Sequence, residues 1–124
     1  MIALDIELDG VRGSFRPGEI VAGTASWSLF DPPDAVEVIL FWEVGPAGPG
    51  QLKVVDRRRF ERPGATDRRP FRFELLDAPY SGEGRLFAIR WKLELVAYPS
   101  HEAIQKEIVV SPSGHYVSLG GRPA

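Results

Sequence analysis

The chain has 124 residues, of which 44% are hydrophobic and 26% charged, and its formal net charge is -2 at pH 7. These values predict one globular domain, argue against nucleic-acid binding, and include no apolar run near the ~20 residues of a membrane span. Cysteine is absent, which excludes disulfides, thiolate metal sites and a cysteine nucleophile and is typical of the reducing cytoplasm, where we expect the protein to reside without a signal peptide.

Proline and glycine divide the chain into short segments. The eleven prolines and thirteen glycines leave no room for a substantial helix. Between them, apolar and polar residues alternate with the period of two that indicates strands. In chain order, we predict strands over residues 2–8, 20–29, 35–44, 52–60, 71–75, 85–98 and 103–110. This pattern predicts an all-β, immunoglobulin-like sandwich of about seven strands over residues 1–112, followed by a loosely held C-terminal tail over 113–124.

The strand over 35–44 is the most apolar of these. Val36, Val38, Leu40, Trp42 and Val44 share one face, which we expect to be in the core. Ile39 and Phe41 share the other face with glutamates, and they form a candidate patch for a dimer or a partner if that face is exposed. We expect most aromatic residues to pack in the core, namely Trp27, Trp42, Trp91, Phe41, Phe73 and Phe87.

Three segments resemble, in order and spacing, the N-terminal half of the arrestin fold. They lie over residues 15–24, 71–84 and 86–95. In the first, Pro17 and Gly18 predict a turn, and Gly23 predicts a bulge or a close backbone approach in the next strand. The combination is similar to bacterial arrestin-like proteins, including those of the sporulation-control type.

The arrestin resemblance implies a sandwich that binds protein partners. Full arrestins carry two sandwiches in tandem, and this chain has room for one. Functions that need a cleft between two domains are therefore not implied. A second copy that replaces the missing domain is a further implication, so a homodimer is a possible assembly.

The candidate catalytic groups do not form a recognisable site. His101 and His115 stand beside turn residues, without metal-ligand spacing, and are predicted to be exposed. Ser81 lies in a glycine-rich turn that opens a strand, whereas a nucleophile elbow precedes a helix. Asp31 and Asp34 are separated by two prolines and are predicted to cap a turn. We therefore expect no catalytic residue, no metal and no cofactor.

A basic cluster is the best functional lead. It comprises six arginines of one strand–loop–strand segment, which are Arg57, Arg58, Arg59, Arg62, Arg68 and Arg69. Guanidinium groups on one hairpin could bind an anionic or phosphorylated peptide. Alternatively, the interleaved Asp56, Glu61 and Asp67 neutralise the cluster, and the segment is a solvated hairpin that protects a sheet edge. Alternation along a strand places the middle arginine of 57–59 opposite to its neighbours.

Three function classes remain open. The leading hypothesis is a non-catalytic interaction or scaffold module, which binds a protein partner through a sheet edge or loop face and could self-associate. The second is a sandwich that binds a carbohydrate or small ligand. The third is a hydrolase whose site is assembled from loops, which the absence of a convincing nucleophile–base pair disfavours.

Overall fold

A computed structural model of the chain describes residues 2–10, 12–45 and 50–119. Ten strands form this part of the chain, and they are β1 (Ala3–Leu8), β2 (Ser14–Phe15), β3 (Ile20–Ser28), β4 (Ala35–Gly45), β5 (Gln51–Glu61), β6 (Thr66–Glu74), β7 (Gly82–Glu83), β8 (Ala88–Tyr98), β9 (Ala103–Val110) and β10 (Val117–Ser118). The predicted all-β class is confirmed. In the described ranges there is no helix long and apolar enough to cross a membrane.

The strands form two sheets. The smaller sheet has the antiparallel order β1–β3–β6. The larger sheet has the central order β5–β4–β8, and β9 and β7 pair with successive parts of the far edge of β8. β2 lies parallel to the end of β9, and β10 lies parallel to β7. The predicted number of about seven strands is wrong, because β2, β7 and β10 have two residues each and are too short to show an alternating pattern.

The core lies between the two sheets. Its buried residues alternate along the long strands as the sequence predicts, and they include Val21, Trp27, Val38, Leu40, Phe73, Trp91, Leu93, Leu95 and Ile108. Burial of one such large side chain contributes about 1.5–3 kcal/mol. Phe87 is an exception: it is 40% exposed, so its predicted core position is wrong. β8 begins one residue later, and the Phe87 carbonyl accepts a hydrogen bond from Gly84 in the preceding turn at 2.9 Å.

The outer face of the larger sheet carries a second, small apolar cluster. Ile39 is 9% exposed and Phe41 3% exposed, and both pack against Val96, Val54 and Tyr98. The hypothesis of an exposed patch at Ile39 and Phe41 is therefore wrong. Side chains from the neighbouring strands β5 and β8 cover these two residues, which a single strand's pattern does not reveal.

Two glycine positions carry the predicted backbone features. Gly18 has a φ of 80°, and the Glu19 amide donates to the Arg16 carbonyl at 3.1 Å, which confirms the turn. A Cβ at Gly23 would lie 2.3 Å from the Glu7 carbonyl oxygen, so β1 approaches β3 closely there. This confirms the predicted close approach.

Two predicted segments are only partly described. Residues 46–49 of the predicted loop over 45–50 lie outside the described residues, as do residues 120–124 of the predicted tail. The described part of that tail includes β10. The boundary near residue 112 between domain and tail remains a prediction.

Candidate interaction site

The arginine-rich segment is not a hairpin. β5 pairs with β4 in the larger sheet, and β6 pairs with β3 in the smaller sheet. The chain crosses from one sheet to the other over residues 62–65. The predicted hairpin is therefore wrong. The two strands instead border one open side of the sandwich, which we call the arginine side.

Two of the six arginines lie on the outer face of the larger sheet. Arg57 and Arg59 flank Glu37, which is only 4% exposed, with nitrogen–oxygen distances of 3.6 and 3.4 Å. The Tyr98 hydroxyl donates to the same carboxylate at 2.9 Å. Burial, followed by this bond to Glu37, raises the pKa of Tyr98. A hydrogen bond to Glu61 is the main cause that raises the pKa of Arg59. Carboxylates thus already neutralise both guanidinium groups.

Two further arginines point inward and lie across the gap between the sheets. Arg58 stacks on the Phe73 ring, with its guanidinium carbon 4.9 Å from the ring centre, and it pairs with Asp56 at 3.1 Å. Arg69 lies over the Phe60 ring at 5.5 Å and pairs with Asp67. The alternation of Arg58 against Arg57 and Arg59 is as predicted. These contacts cover the open border of the core.

The remaining two arginines are exposed. Arg62 has a φ of 47° in the crossover between the sheets. Arg68 pairs with Ser26 of β3, on the outer face of the smaller sheet. Within the described ranges, no ion pair involves the side chain of Arg62 or Arg68. The fold thus directs the six arginines to several surfaces rather than into one pocket.

The hydrogen-bond register of β6 shows which of its backbone groups point to the free edge. The Leu29 amide donates to the Ala65 carbonyl at 2.8 Å, and the Leu75 amide donates to the Glu19 carbonyl at the same distance. Antiparallel strands alternate hydrogen-bonded and non-bonded pairs. The odd-numbered residues of β6 therefore bond to β3, and the even-numbered residues direct their backbone groups outward.

Three of these outward positions on β6 are blocked. The Arg68 amide donates to Asp67 Oδ1 at 2.8 Å. Pro70 has no amide hydrogen to offer. The Arg72 carbonyl accepts a hydrogen bond from the Arg58 guanidinium at 3.0 Å. Such devices are known to prevent another strand from pairing with an edge.

On the free edge of β5, an aspartate also binds an outward backbone amide. The Arg62 amide donates to the Asp34 carbonyl at 2.9 Å, which sets the even-numbered residues as the partners of β4 in this part of β5. The outward amide of Arg57 then donates to Asp56 Oδ1 at 2.8 Å. Both edges of the arginine side are therefore protected by an aspartate that binds the amide of the next residue.

The opposite open side is bordered by β1 and β9, and we call it the β9 side. On β1, the Asp9 amide donates to the Ala22 carbonyl at 2.9 Å, so the even-numbered residues direct their backbone amides and carbonyls toward the free edge. The Lys106 ammonium donates to one of them, the Ile6 carbonyl, at 3.4 Å. One long side chain thus crosses the gap here, as Arg58 does on the arginine side.

The free edge of β9 differs from the protected edges. The Ala97 amide donates to the Glu102 carbonyl at 2.9 Å, which sets the even-numbered residues of β9 as the partners of β8. Ala103, Gln105 and Glu107 therefore direct their amides and carbonyls outward. In the part of the chain that the structure describes, no proline, side chain or other strand binds these groups.

The polar side chains of β9 bind to their own sandwich. The Gln105 amide group donates to Glu94 at 3.1 Å, and Glu107 pairs with Arg90 at 3.3 Å. Lys106 is engaged with Ile6. None of them lies over the outward backbone groups, so among the described residues nothing covers the edge over residues 103–107. The composition of β9 did not reveal this edge.

The same edge already accepts a strand further along. β2 pairs with Val109 and Val110 in parallel, and the Val109 amide donates to the Gly13 carbonyl at 2.9 Å. β2 thus ends the open stretch at residue 108. The described chain itself shows that β9 accepts a strand on this side.

The catalytic candidates named from the sequence have structural contacts. Ser81 is 0% exposed, and its hydroxyl accepts a hydrogen bond from the Val110 amide at 2.9 Å. His101 and His115 are exposed, as predicted. Among the residues in the described ranges, no group of three or more histidine, aspartate or glutamate side chains could hold a metal ion.

A cleft at one end of the larger sheet bears on the small-ligand alternative. It has a volume of about 590 Å³ and is lined by Glu43, Arg90, Lys92, Leu86 and Phe87, among others. Lys92 binds Glu43 at 2.5 Å, and Arg90 pairs with carboxylates outside the cleft. Three charged groups of the cleft, those of Glu43, Lys92 and Arg90, are therefore already engaged with each other or with neighbouring carboxylates, whereas Arg85, which also lines the cleft, forms no ion pair within the described ranges.

Comparison with known proteins supports the fold. No protein-family model matches the chain, and no curated protein matches it. Spo0M, a sporulation control protein from Bacillus subtilis, matches 89% of this chain with a TM-score of 0.59 and 18% identity. This chain spans 49% of Spo0M, or about half its length. A β-glucosidase from Listeria innocua matches 94% of this chain and 16% of its own length, with a TM-score of 0.50 and 11% identity. The arrestin-like sandwich is thereby confirmed as the fold, and at these identities the likeness shows the fold alone.

Proposed function

We propose that the chain is a non-catalytic interaction module that binds a protein partner by accepting a strand at the free edge of β9. The observation that carries this proposal is the contrast between the edges. Asp56, Asp67, Pro70 and Arg58 block positions on both edges of the arginine side, whereas no described residue binds the outward backbone groups of residues 103–107 of β9. Strand addition to an open edge is a recurrent way in which sandwiches bind partners.

Strand addition at β9 would have a limited length. Ala103, Gln105 and Glu107 offer their amides and carbonyls, and each net hydrogen bond contributes about 0.5–1.5 kcal/mol. The stretch ends at β2 on one side and at the turn before β9 on the other. We therefore expect reversible binding of moderate affinity, which suits a regulatory contact.

The non-catalytic part of the proposal rests on the state of the candidate groups. Ser81 is fully buried and its hydroxyl is bonded to the Val110 amide, so it is poorly placed to attack a substrate. The likeness to Spo0M, whose name describes a control protein, is in keeping with a regulatory module. We also propose that the protein is cytoplasmic, uses no cofactor and does not bind nucleic acid.

An anionic partner is a second candidate, and Arg62 and Arg68 favour it. The other four arginines of the predicted cluster contact carboxylates at 2.5–3.6 Å. Arg62 and Arg68 are exposed and make no ion pair within the described ranges. A phosphorylated or acidic segment would therefore bind these two first. The function of the whole six-residue cluster remains a prediction.

The experiment is a capture assay with the tagged full chain and a lysate of the native host. Gln105→Pro removes an outward amide from the open edge of β9, and Arg72→Pro is the matched control because it removes an outward amide from the already blocked edge of β6. We expect retained proteins to be lost with Gln105→Pro and kept with Arg72→Pro. Retention that is equal for both variants and the wild type would overturn the proposal.

The same assay separates the two candidates. Reversal of Arg62 and Arg68 to glutamate should leave capture unchanged if the partner adds a strand to β9. Loss of capture in that double variant alone would favour the anionic partner instead. Thermal unfolding of each variant confirms that it is folded before its capture is compared.

A further inference from the structure

We infer that the partner strand is β9 of a second copy of this chain, paired antiparallel about a two-fold axis at Gln105. The inference rests on the proposed function, because it requires the free edge of β9 to be the docking edge. It adds the identity of the partner and the register of the pairing. The register follows from which residues of β9 direct their backbone groups to the free edge, and the second copy is inferred because its β9 fits that register.

Antiparallel pairing allows few registers. Hydrogen-bonded pairs form only between residues whose backbone groups face the other strand, so an odd-numbered residue of one β9 must oppose an odd-numbered residue of the other. With Gln105 opposite itself, Ala103 opposes Glu107 twice, and all three outward residues of each strand are used. Ile104 then opposes Lys106, so no like charges face each other.

The two neighbouring registers are worse. A shift that centres the axis on Lys106 places this lysine directly opposite its copy, and like charges in cross-strand pairs are destabilising. A shift that centres the axis on Ile104 places Glu107 opposite His101, which has a φ of 63° in the turn before β9 and is not part of the strand. That register loses one pair at each end. The register centred on Gln105 is therefore preferred.

The surrounding side chains permit this approach. Gln105 is bonded to Glu94 and Glu107 to Arg90, both over the outer face of their own sheet. Lys106 reaches inward to β1. The open stretch over residues 103–107 is therefore not covered by its own side chains. Because β2 ends this stretch, the contact is short, and we expect a dimer that forms only as the protein concentration rises.

The protected edges explain why pairing would stop at two copies. A two-fold contact uses the same patch on both copies and forms a closed dimer. Growth of the joined sheet at β5 is hindered, because Asp56 binds the outward amide of Arg57 there. The edge of β6 is blocked by Pro70 and its neighbours. The geometry therefore points to a closed dimer rather than a fibre.

A single introduced cysteine tests the register. The chain contains no cysteine, so Gln105→Cys introduces its only thiol. Facing residues in a hydrogen-bonded antiparallel pair have Cα atoms about 5.5 Å apart, which lies within the range of disulfides. Under mild oxidation we expect Gln105→Cys to form a covalent dimer much faster than the control Arg68→Cys, whose side chain is exposed on the smaller sheet.

Sedimentation equilibrium tests the association without a covalent link. The wild type and Arg72→Pro should show the same concentration-dependent dimer. Gln105→Pro should weaken it roughly tenfold or more, because two hydrogen bonds at the axis are lost. A wild type that stays monomeric at millimolar concentration, or equal cross-linking of Gln105→Cys and Arg68→Cys, would overturn the inference.

The outcomes separate this inference from the proposed function. If the wild type is monomeric but Gln105→Pro still loses a captured protein, the second copy is wrong and docking at β9 stands. If Gln105→Pro changes neither sedimentation nor capture, both are wrong. Should this proline variant fail to fold, the cross-linking rate of Gln105→Cys still decides the inference.

Discussion

The two open sides of the sandwich differ in how far their edge strands are protected from pairing with another strand. Each open side is bordered by one edge strand of the larger sheet and one of the smaller sheet. On each side a long cationic side chain crosses the gap to a backbone carbonyl: Arg58 to Arg72 at 3.0 Å and Lys106 to Ile6 at 3.4 Å. Beyond that shared contact, the arginine side also has one outward amide on each edge, that of Arg57 and that of Arg68, bonded to an aspartate. The β9 side does not. The more strongly charged side is thus the one less able to accept a strand.

The contrast shows that the charge of an edge strand does not indicate whether the strand is available for binding. Exposed ion pairs contribute about 0–1 kcal/mol each, so the pairs of the arginine side add little to stability one by one. Their effect is geometric, because they hold side chains over backbone groups that would otherwise be free. A cluster of arginines in a sequence can therefore mark a protected edge, and a less charged strand can be the available one.

The largest expected effect concerns β1, which borders the β9 side. Gly23→Ala places a Cβ 2.3 Å from the Glu7 carbonyl oxygen and 3.0 Å from the Leu8 Cα. Backbone atoms cannot move aside as a side-chain end can, so β1 must shift, and we expect a loss of about 3 kcal/mol in the free energy of unfolding. Urea denaturation followed by tryptophan fluorescence measures it.

Gly13→Ala is the matched control for this substitution. A Cβ at Gly13 meets nothing within 4 Å, and its φ is not in the left-handed region. We expect a change within about 0.5 kcal/mol. If Gly23→Ala were as mild as this control, β1 would not depend on the close approach, and the β9 side would tolerate a shift of its β1 edge.

The next effect concerns the arginine side. Arg58→Ala removes the stacking on Phe73 and the hydrogen bond to Arg72, so we expect a loss of about 1–2 kcal/mol in the free energy of unfolding. The freed Arg72 carbonyl should also make the variant more prone to associate than the wild type. Chemical denaturation and light scattering measure the two effects.

Arg68→Ala is the control on the same side. Its side chain is exposed and forms no ion pair within the described ranges, so we expect a change within about 0.5 kcal/mol and no added association. Equal effects of the two substitutions would contradict the view that Arg58 protects this edge.

The sequence could predict the long strands but not the character of the edges. Alternation finds part or all of each of the seven long strands, although it begins β6 at Phe71 rather than at Thr66. It does not show that Pro63 and Gly64 lie in a crossover between sheets rather than in a hairpin, since both turns use the same residues. The open edge of β9 depends on which distant strands pair with it, and that information is not local.

The smallest expected effect is the pH dependence of Asp67 on the arginine side. Its carboxylate accepts hydrogen bonds from the Arg68 amide and then from Arg69, and these lower the pKa of Asp67. The pKa is therefore lower in the folded than in the unfolded chain, where it is about 3.9. The stabilisation is present above that value and is lost as the pH falls through the folded pKa.

Asp67→Asn tests this dependence, because it removes the ionisable group but keeps an oxygen that can accept from the Arg68 amide. We expect the wild type to be slightly more stable than this variant near pH 7, with the difference in unfolding free energy disappearing on acidification below about pH 4. Arg69→Gln should reduce the same difference, because it removes the second cause of the lowered pKa. A difference that stays constant from pH 7 to acid would mean that the Asp67 charge does not stabilise this edge, and that its protection relies on hydrogen-bond geometry alone.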